Sequence, residues 1–190
     1  MIYRGEGGDY SPYTPKIDEL ISTVLKQRGY KGSRSRKKAH FGSTSKEQAI
    51  EYTANKKEGE LKVLLPQKEA VVSWAPGTID MILSFSSFLR NSTFNEDYWH
   101  QGMNCEALMI DIAGDVGVAE TYLSLGRQKN KIGRIINNYL STIEIKEETV
   151  QDPHEIEKFM EGHNGEVWIT GDCRSYRYQP ESEQLNTMKL

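Results

Sequence analysis

Glu166 opens the run Glu166-Val167-Trp168-Ile169-Thr170, whose apolar and β-branched residues predict a strand. A carboxylate at a strand start, beside the short polar segment His163-Asn164-Gly165, is well placed to face a cleft. Far upstream, Ser43-Thr44-Ser45 follows Phe41-Gly42 and runs into a helix-forming stretch. One hydroxyl is enough to cap a helix, so three in succession ask for a further task. Near the start, Tyr3-Arg4-Gly5 puts a guanidinium at a strand end, where glycine frees the backbone to turn. An arginine, a hydroxyl cluster and a carboxylate can do polar chemistry without a metal. The histidines share no ligand spacing, and Cys105 and Cys173 form no CxxC, so no metal is inferred. His40, beside the hydroxyl cluster, reads as structural or exposed, and Trp74, Trp99 and Trp168 read as core.

The elements that would position these groups follow from periodicity and punctuation. Met1 to Arg4 predicts a first strand. Thr14-Pro15 opens a helix through Ile17, Leu20, Ile21, Val24 and Leu25, closed by Gly29. His40 to Ser43 predicts a strand, and Thr44 with Glu47, or Ser45 with Gln48, a capping box for the helix carrying Ala49, Ile50 and Thr53. Strands are expected over Glu60 to Leu65 and Ala70 to Trp74. A helix from Thr78 to Leu89 has apolar residues around most of its surface, which predicts deep burial. Glu106 to Ala113 reads equally as helix or strand, and Val116 to Leu125 as helix. Ile132 to Leu140 predicts an amphipathic helix, followed by a strand through Ile143 and Ile145. Asp152-Pro153 caps a short helix stopped by Gly162. The segments GEVWIT and CRSYRYQ predict a β-hairpin around Gly171-Asp172. The last ten residues, 181–190, read as a tail.

With 190 residues, 37% hydrophobic and 27% charged, the chain suits one domain able to fold without disulfides or metal. The formal charge of -3 selects no partner class. No signal peptide and no apolar run near the ~18 residues of a membrane span is found, which predicts a soluble, cytoplasmic protein with no membrane contact; a monomer is expected. The basic stretch 31–38 (Lys31, Arg34, Arg36, Lys37, Lys38) reads first as a solvated, mobile loop and second as a grip on an acidic protein, nucleic acid or the phosphates of a bound ligand.

Taken in order, Arg4, then an aromatic residue and Ser43-Thr44-Ser45, then the late Glu166 resemble the mono-ADP-ribosyltransferases of the arginine–serine–glutamate class, in the small phage and bacterial type. Ala49 and Tyr52 match that family's helix after the serine motif, and LKVLLPQKEAVVSW matches the rhythm of its following strands. The histidine–tyrosine–glutamate class is ranked lower, because it carries His where this chain has Arg4. The resemblance covers the first 80 residues and about the last 30, and treats residues 91–150 as an insertion. It implies an α+β fold with split β-sheets around an NAD cleft, helices outside and a helical insertion. It implies NAD as substrate and transfer of ADP-ribose to a macromolecule, a protein side chain ahead of nucleic acid, inside a cell that could be an infected host.

By the same resemblance, Arg4 holds the NAD phosphates. Ser43 points toward the nicotinamide ribose and orients Glu166, which accepts the ribose 2′-hydroxyl and stabilises the oxocarbenium-like cation. Tyr3, Gly5, Phe41, Thr44, Ser45 and Tyr52 complete the NAD site, and Asn164, two residues before the glutamate, faces the acceptor. A neutral Asn164 cannot act as a base, which argues against an arginine acceptor. Two other readings stand beside this one. One is a non-catalytic binding protein that uses the loop 31–38, with Arg4 and Glu166 as a structural ion pair. The other is an NAD glycohydrolase that uses the same site with water as acceptor.

Overall fold

The computed structural model describes residues 1–5, 14–53, 55, 57, 60–91 and 131–179. The expectations for Glu106 to Ala113, Val116 to Leu125, Trp99, Cys105 and the tail 181–190 lie outside the described residues. Among the described ones, helices and antiparallel strands make an α+β structure. Its strands are β1 (Ile2–Gly5), β2 (Ala39–Ser43), β3 (Leu61–Pro66), β4 (Val71–Trp74), β5 (Lys146–Thr149), β6 (Glu166–Thr170) and β7 (Cys173–Arg177). Its helices are α1 (Thr14–Gln27), α2 (Lys46–Glu51), α3 (Met81–Asn91), α4 (Lys131–Leu140) and α5 (Ile156–Phe159).

The strands form one sheet in the order β5-β4-β6-β2-β1-β3-β7, with every neighbouring pair antiparallel. Two sheets were expected; the structure joins them, but narrowly. β2 and β6 share a five-residue register, and β1 and β3 one of four, whereas β1 and β2 meet at the single pair Tyr3–Ser43. The sheet is therefore two halves, β5-β4-β6-β2 and β1-β3-β7, touching at one point. Glycines let that point close. A Cβ on Gly42 would lie 2.7 Å from the Tyr3 carbonyl oxygen, and one on Gly5 would lie 2.3 Å from the carbonyl of Ala49 in α2.

The expected terminal hairpin does not form. β6 pairs with β2 on one edge and β4 on the other, so it has no edge left for β7, which crosses to the far margin beside β3. Gly171, at φ 103°, makes the turn that sends the chain there. The sequence carries the reason. Val167, Trp168 and Ile169 are all buried, as a central strand covered on both faces requires, whereas Arg174 to Arg177 on the margin are exposed.

Each face of the sheet has its own core. Trp168 looks into one made by α1, α3 and α4, including Ile17, Leu20, Ile21, Phe85, Ile136 and Tyr139. Val167 and Ile169 look into the other, with Ile2, Leu64, Val72, Trp74, Ile156 and Met160. α1 ends as its glycine predicts: Gly29 takes φ 90°, its N–H donates to Lys26 O and that of Tyr30 to Leu25 O, both at 3.0–3.1 Å. α3 starts later than expected, at Met81, because Asp80 caps it by accepting from Leu83 N at 2.8 Å. It buries one stripe, Met81, Phe85 and Leu89, and leaves Leu83 65% exposed, so the expectation of burial all round does not hold.

The described part of 91–150 belongs to the framework. α4 packs on α1, where Arg28 donates to Leu140 O at 2.8 Å and Asn137 O at 2.6 Å. The strand expected through Ile143 and Ile145 runs instead over Lys146–Thr149, on the sheet edge beside β4.

Candidate functional site

A cavity of about 350 Å³ opens where the two half-sheets meet. Tyr3, Arg4 and Gly5 of β1 line it, with Phe41, Gly42 and Ser43 of β2, Gln48, Ala49 and Tyr52 from α2 and its end, Asp80, Ile82 and Leu83 at the start of α3, Arg36, and Glu166. Register explains the convergence: Tyr3 stands opposite Ser43, and Ser43 opposite Glu166, a row running across three strands.

The three hydroxyls do three different things. Ser45 caps α2, accepting from Gln48 N at 3.1 Å. Gln48 does not reach back to complete a capping box. Its Oε1 accepts from Ser43 Oγ at 2.5 Å and its Nε2 donates to Ile79 O at 2.7 Å, which ties β2 to the segment before α3. Thr44 Oγ1 donates to His163 O at 2.8 Å and accepts from Gly165 N at 3.0 Å, which fastens the His163-Asn164-Gly165 loop. Thr44 and Ser45 are thus framework residues and do not line the cavity. Ser43 does, yet its hydroxyl serves Gln48, Gly165 O and Ser45 N rather than Glu166. Asn164 is exposed and lies outside the cavity lining, as does His40.

What orients Glu166 is a residue the sequence reading assigned to a mobile loop. Arg34 is completely buried and forks onto both carboxylate oxygens, Nη1 to Oε2 at 3.1 Å and Nη2 to Oε1 at 3.2 Å. Met81 N, the first N–H of α3, donates to Oε2 at 3.0 Å. The other side of the Arg34 fork goes to Asp18 Oδ1, from Nε at 3.0 Å and Nη2 at 2.8 Å. Its guanidinium lies over Phe41 at 5.1 Å and Trp168 at 4.9 Å.

The basic stretch is therefore not one solvated loop. Glu147 of β5 accepts from Lys31 N and Gly32 N at 2.9 and 2.8 Å, and Thr170 Oγ1 accepts from Ser33 N at 2.7 Å. Arg36 pairs with Asp18 at 3.1 Å and stacks on Phe41, which leaves Lys31, Lys37 and Lys38 as the exposed cations. The ion pair of Glu166 is with Arg34, not with Arg4.

These contacts set the electrostatics. Burial pushes the Glu166 carboxyl above its ordinary range and Asp80 adds to this, while Arg34 and the Met81 N–H pull the other way. Burial alone would lower the Arg34 guanidinium; Glu166 and Asp18 more than reverse that and keep it charged. Burial pushes the Tyr139 phenol to about 12, so it stays protonated and donates to Met81 O at 3.0 Å, which ties α4 to the residue whose N–H serves Glu166. His163 lies half-buried with Nε2 at 3.1 Å from Glu166 O, and burial lowers its pKa. Tyr52 donates to the Asp80 carboxylate, placing a second acid in the cleft.

Arg34, Asp18, Gln48 and Asp80 are the site residues that sequence reasoning missed. A signal existed for one pair. Asp18 sits three residues before Ile21 and seven before Leu25, on the buried stripe of α1, and an acid there needs a buried cation.

Among the described residues, no group of three or more His, Cys, Asp or Glu is arranged to hold a metal ion, and no helix is long and apolar enough to cross a membrane. No protein-family model matches the chain, and neither a curated protein nor a solved structure does.

Proposed function

We propose that the protein is a mono-ADP-ribosyltransferase that binds NAD in the cleft between the half-sheets and transfers ADP-ribose to a macromolecular acceptor. One observation carries this reading: Arg4, Ser43 and Glu166, from three distant parts of the chain, line a single cavity. Tyr3, Gly5, Phe41 and Tyr52 line the same cavity, whose volume lies in the range of small-ligand pockets. A sheet divided at one residue pair over that cavity favours an ADP-ribosyltransferase-like fold with split sheets around the NAD cleft.

The chemistry asks for positioning and charge, both of which this cleft can supply. Arg4 presents a guanidinium suited to bidentate contact with a pyrophosphate. Among the described residues, no carboxylate forms an ion pair with it. Glu166, with its carboxylate fixed from behind and 15% exposed toward the cleft, accepts the ribose 2′-hydroxyl and faces the cation that grows as the C1′–N bond breaks. The bonding pair leaves with nicotinamide. The acceptor nucleophile then bonds to C1′ and gives up its proton. Asp80 is the other carboxylate in reach of that side, in place of the outward Asn164. Ser43 acts through Gln48, holding β2 against the start of α3.

The test is incubation of wild type and Glu166→Gln with labelled NAD and a cell lysate that contains nucleic acid. Label on a protein or nucleic acid from wild type, reduced about 10²–10³-fold in Glu166→Gln, is the expected result. Free ADP-ribose with no labelled macromolecule would make the protein a glycohydrolase instead. No turnover by wild type would remove the enzyme reading.

A further inference from the structure

We propose that Asp18 and Arg34 form a charge-balanced clamp that fixes the Glu166 carboxylate for bond cleavage without cancelling its negative charge. This inference rests on the NAD-cleaving reading of the cleft. Arg34 and Asp18 side chains are fully buried, while Glu166 keeps one edge toward the cavity. The clamp therefore acts from behind and leaves the reacting side open.

Its geometry is rigid. Arg34 Nε and both terminal nitrogens hydrogen-bond to the two carboxylates, Nη1 also approaches Met81 Sδ at 3.4 Å, and aromatic rings hold the guanidinium plane. A buried ion pair is a weak source of stability, since apolar replacements of similar volume are often as stable. A planar fork aimed at both oxygens of a cleft carboxylate gives orientation instead.

The balance of charge is what makes the clamp useful. A lone buried guanidinium behind Glu166 would oppose a cation growing in front of it. Asp18 offsets that charge on the far side of the fork, and its Oδ2 also takes Arg36, which is 25% exposed and so screened by solvent. The other groups facing Glu166 are Asp80 and the Met81 N–H at the start of α3, the Tyr139 hydroxyl of α4 through Met81 O, and His163 on the Glu166 carbonyl. Only Arg34 contacts the carboxylate as a cation among the described residues. Removing it moves the titration midpoint of Glu166 to higher pH, and removing Asp18 leaves Arg34 undivided and moves it to lower pH.

The experiment compares wild type, Arg34→Met, Arg34→Lys and Asp18→Asn in the full chain. Glu166 is titrated by carbon NMR of labelled glutamate, and nicotinamide release is followed as kcat and KM against pH. In Arg34→Met, the Glu166 titration and the acid limb of kcat move up together; in Asp18→Asn, they move down together. Arg34→Lys keeps a cation but loses the fork, so kcat falls about 10²-fold while KM changes less than about threefold. Should Arg34→Met fail to fold, the isosteric Asp18→Asn and Arg34→Lys decide the matter. Lower melting temperatures with kcat and titration unmoved would reduce the trio to a structural ion pair and overturn the proposal. If wild type releases no nicotinamide, the NAD reading fails and the catalytic role of the clamp falls with it. Opposite titration shifts would then still show charge balance at Glu166, and an unmoved titration would remove that too.

Discussion

Glu166 is largely withdrawn from water, at a cost to the fold. Its carboxyl binds a proton more readily in the folded chain than in the unfolded one, so its contribution to stability declines as pH rises through that window. His163, three residues away, follows the opposite rule. Burial depresses its pKa, so the fold needs it neutral: its contribution is complete above the ordinary histidine value of about 6.5 and is lost as pH falls through its lower folded value. Its Nδ1 is buried with no partner, and a second proton there would have nothing to meet. We expect the melting temperature of wild type to fall more steeply below about pH 6.5 than that of His163→Gln. Parallel curves for the two proteins would show that protonation of His163 is not felt by the fold.

Among the elements, the β1–β2 joint tolerates little change. A Cβ at Gly42 would fall 2.6 Å from Ile2 Cγ2 and 2.7 Å from Tyr3 O, and backbone on the neighbouring strand cannot step aside. Gly42→Ala is expected to cost about 1–3 kcal/mol in urea unfolding, in line with overpacked sites. An unchanged unfolding midpoint would mean that the half-sheets do not meet as closely as described. The joint also shows what a sequence can and cannot disclose. Element positions were legible because their signals are local: Gly29 ending α1, Ser45 capping α2, and Asp152 accepting from His154 N at 2.9 Å ahead of α5. Strand partners were not, because pairing is decided across the molecule. Strands close in sequence usually pair, and that prior misled the expectation for β6 and β7. The unbroken apolar run Val167-Trp168-Ile169 was the overlooked sign of a strand buried on both faces.

At the scale of the whole molecule, the site is a consequence of topology. β6 enters the middle of one half-sheet, so its first residue meets the last residue of β2, which meets β1 of the other half. Arg4, Ser43 and Glu166 were legible as candidates by type and order. Arg34 was hidden because a stretch with five cations in eight positions reads as solvated, and only its burial against Asp18 and Trp168 separates it from Lys37 and Lys38. The described part of 91–150 also serves the site. α4 steadies the start of α3 through Tyr139, and β5 ties down the segment carrying Arg34 through Glu147.

The proposed function stands on one step, cleavage of the nicotinamide–ribose bond in this cleft with Glu166. Chromatographic measurement of nicotinamide released from NAD by wild type, Glu166→Gln and Arg4→Lys tests it whatever the acceptor. Steady release by wild type, a loss of about 10²–10³-fold in kcat for Glu166→Gln, and a higher KM for Arg4→Lys, where a point charge replaces a fork, are expected. Equal release by wild type and Glu166→Gln, or none by either, would contradict it.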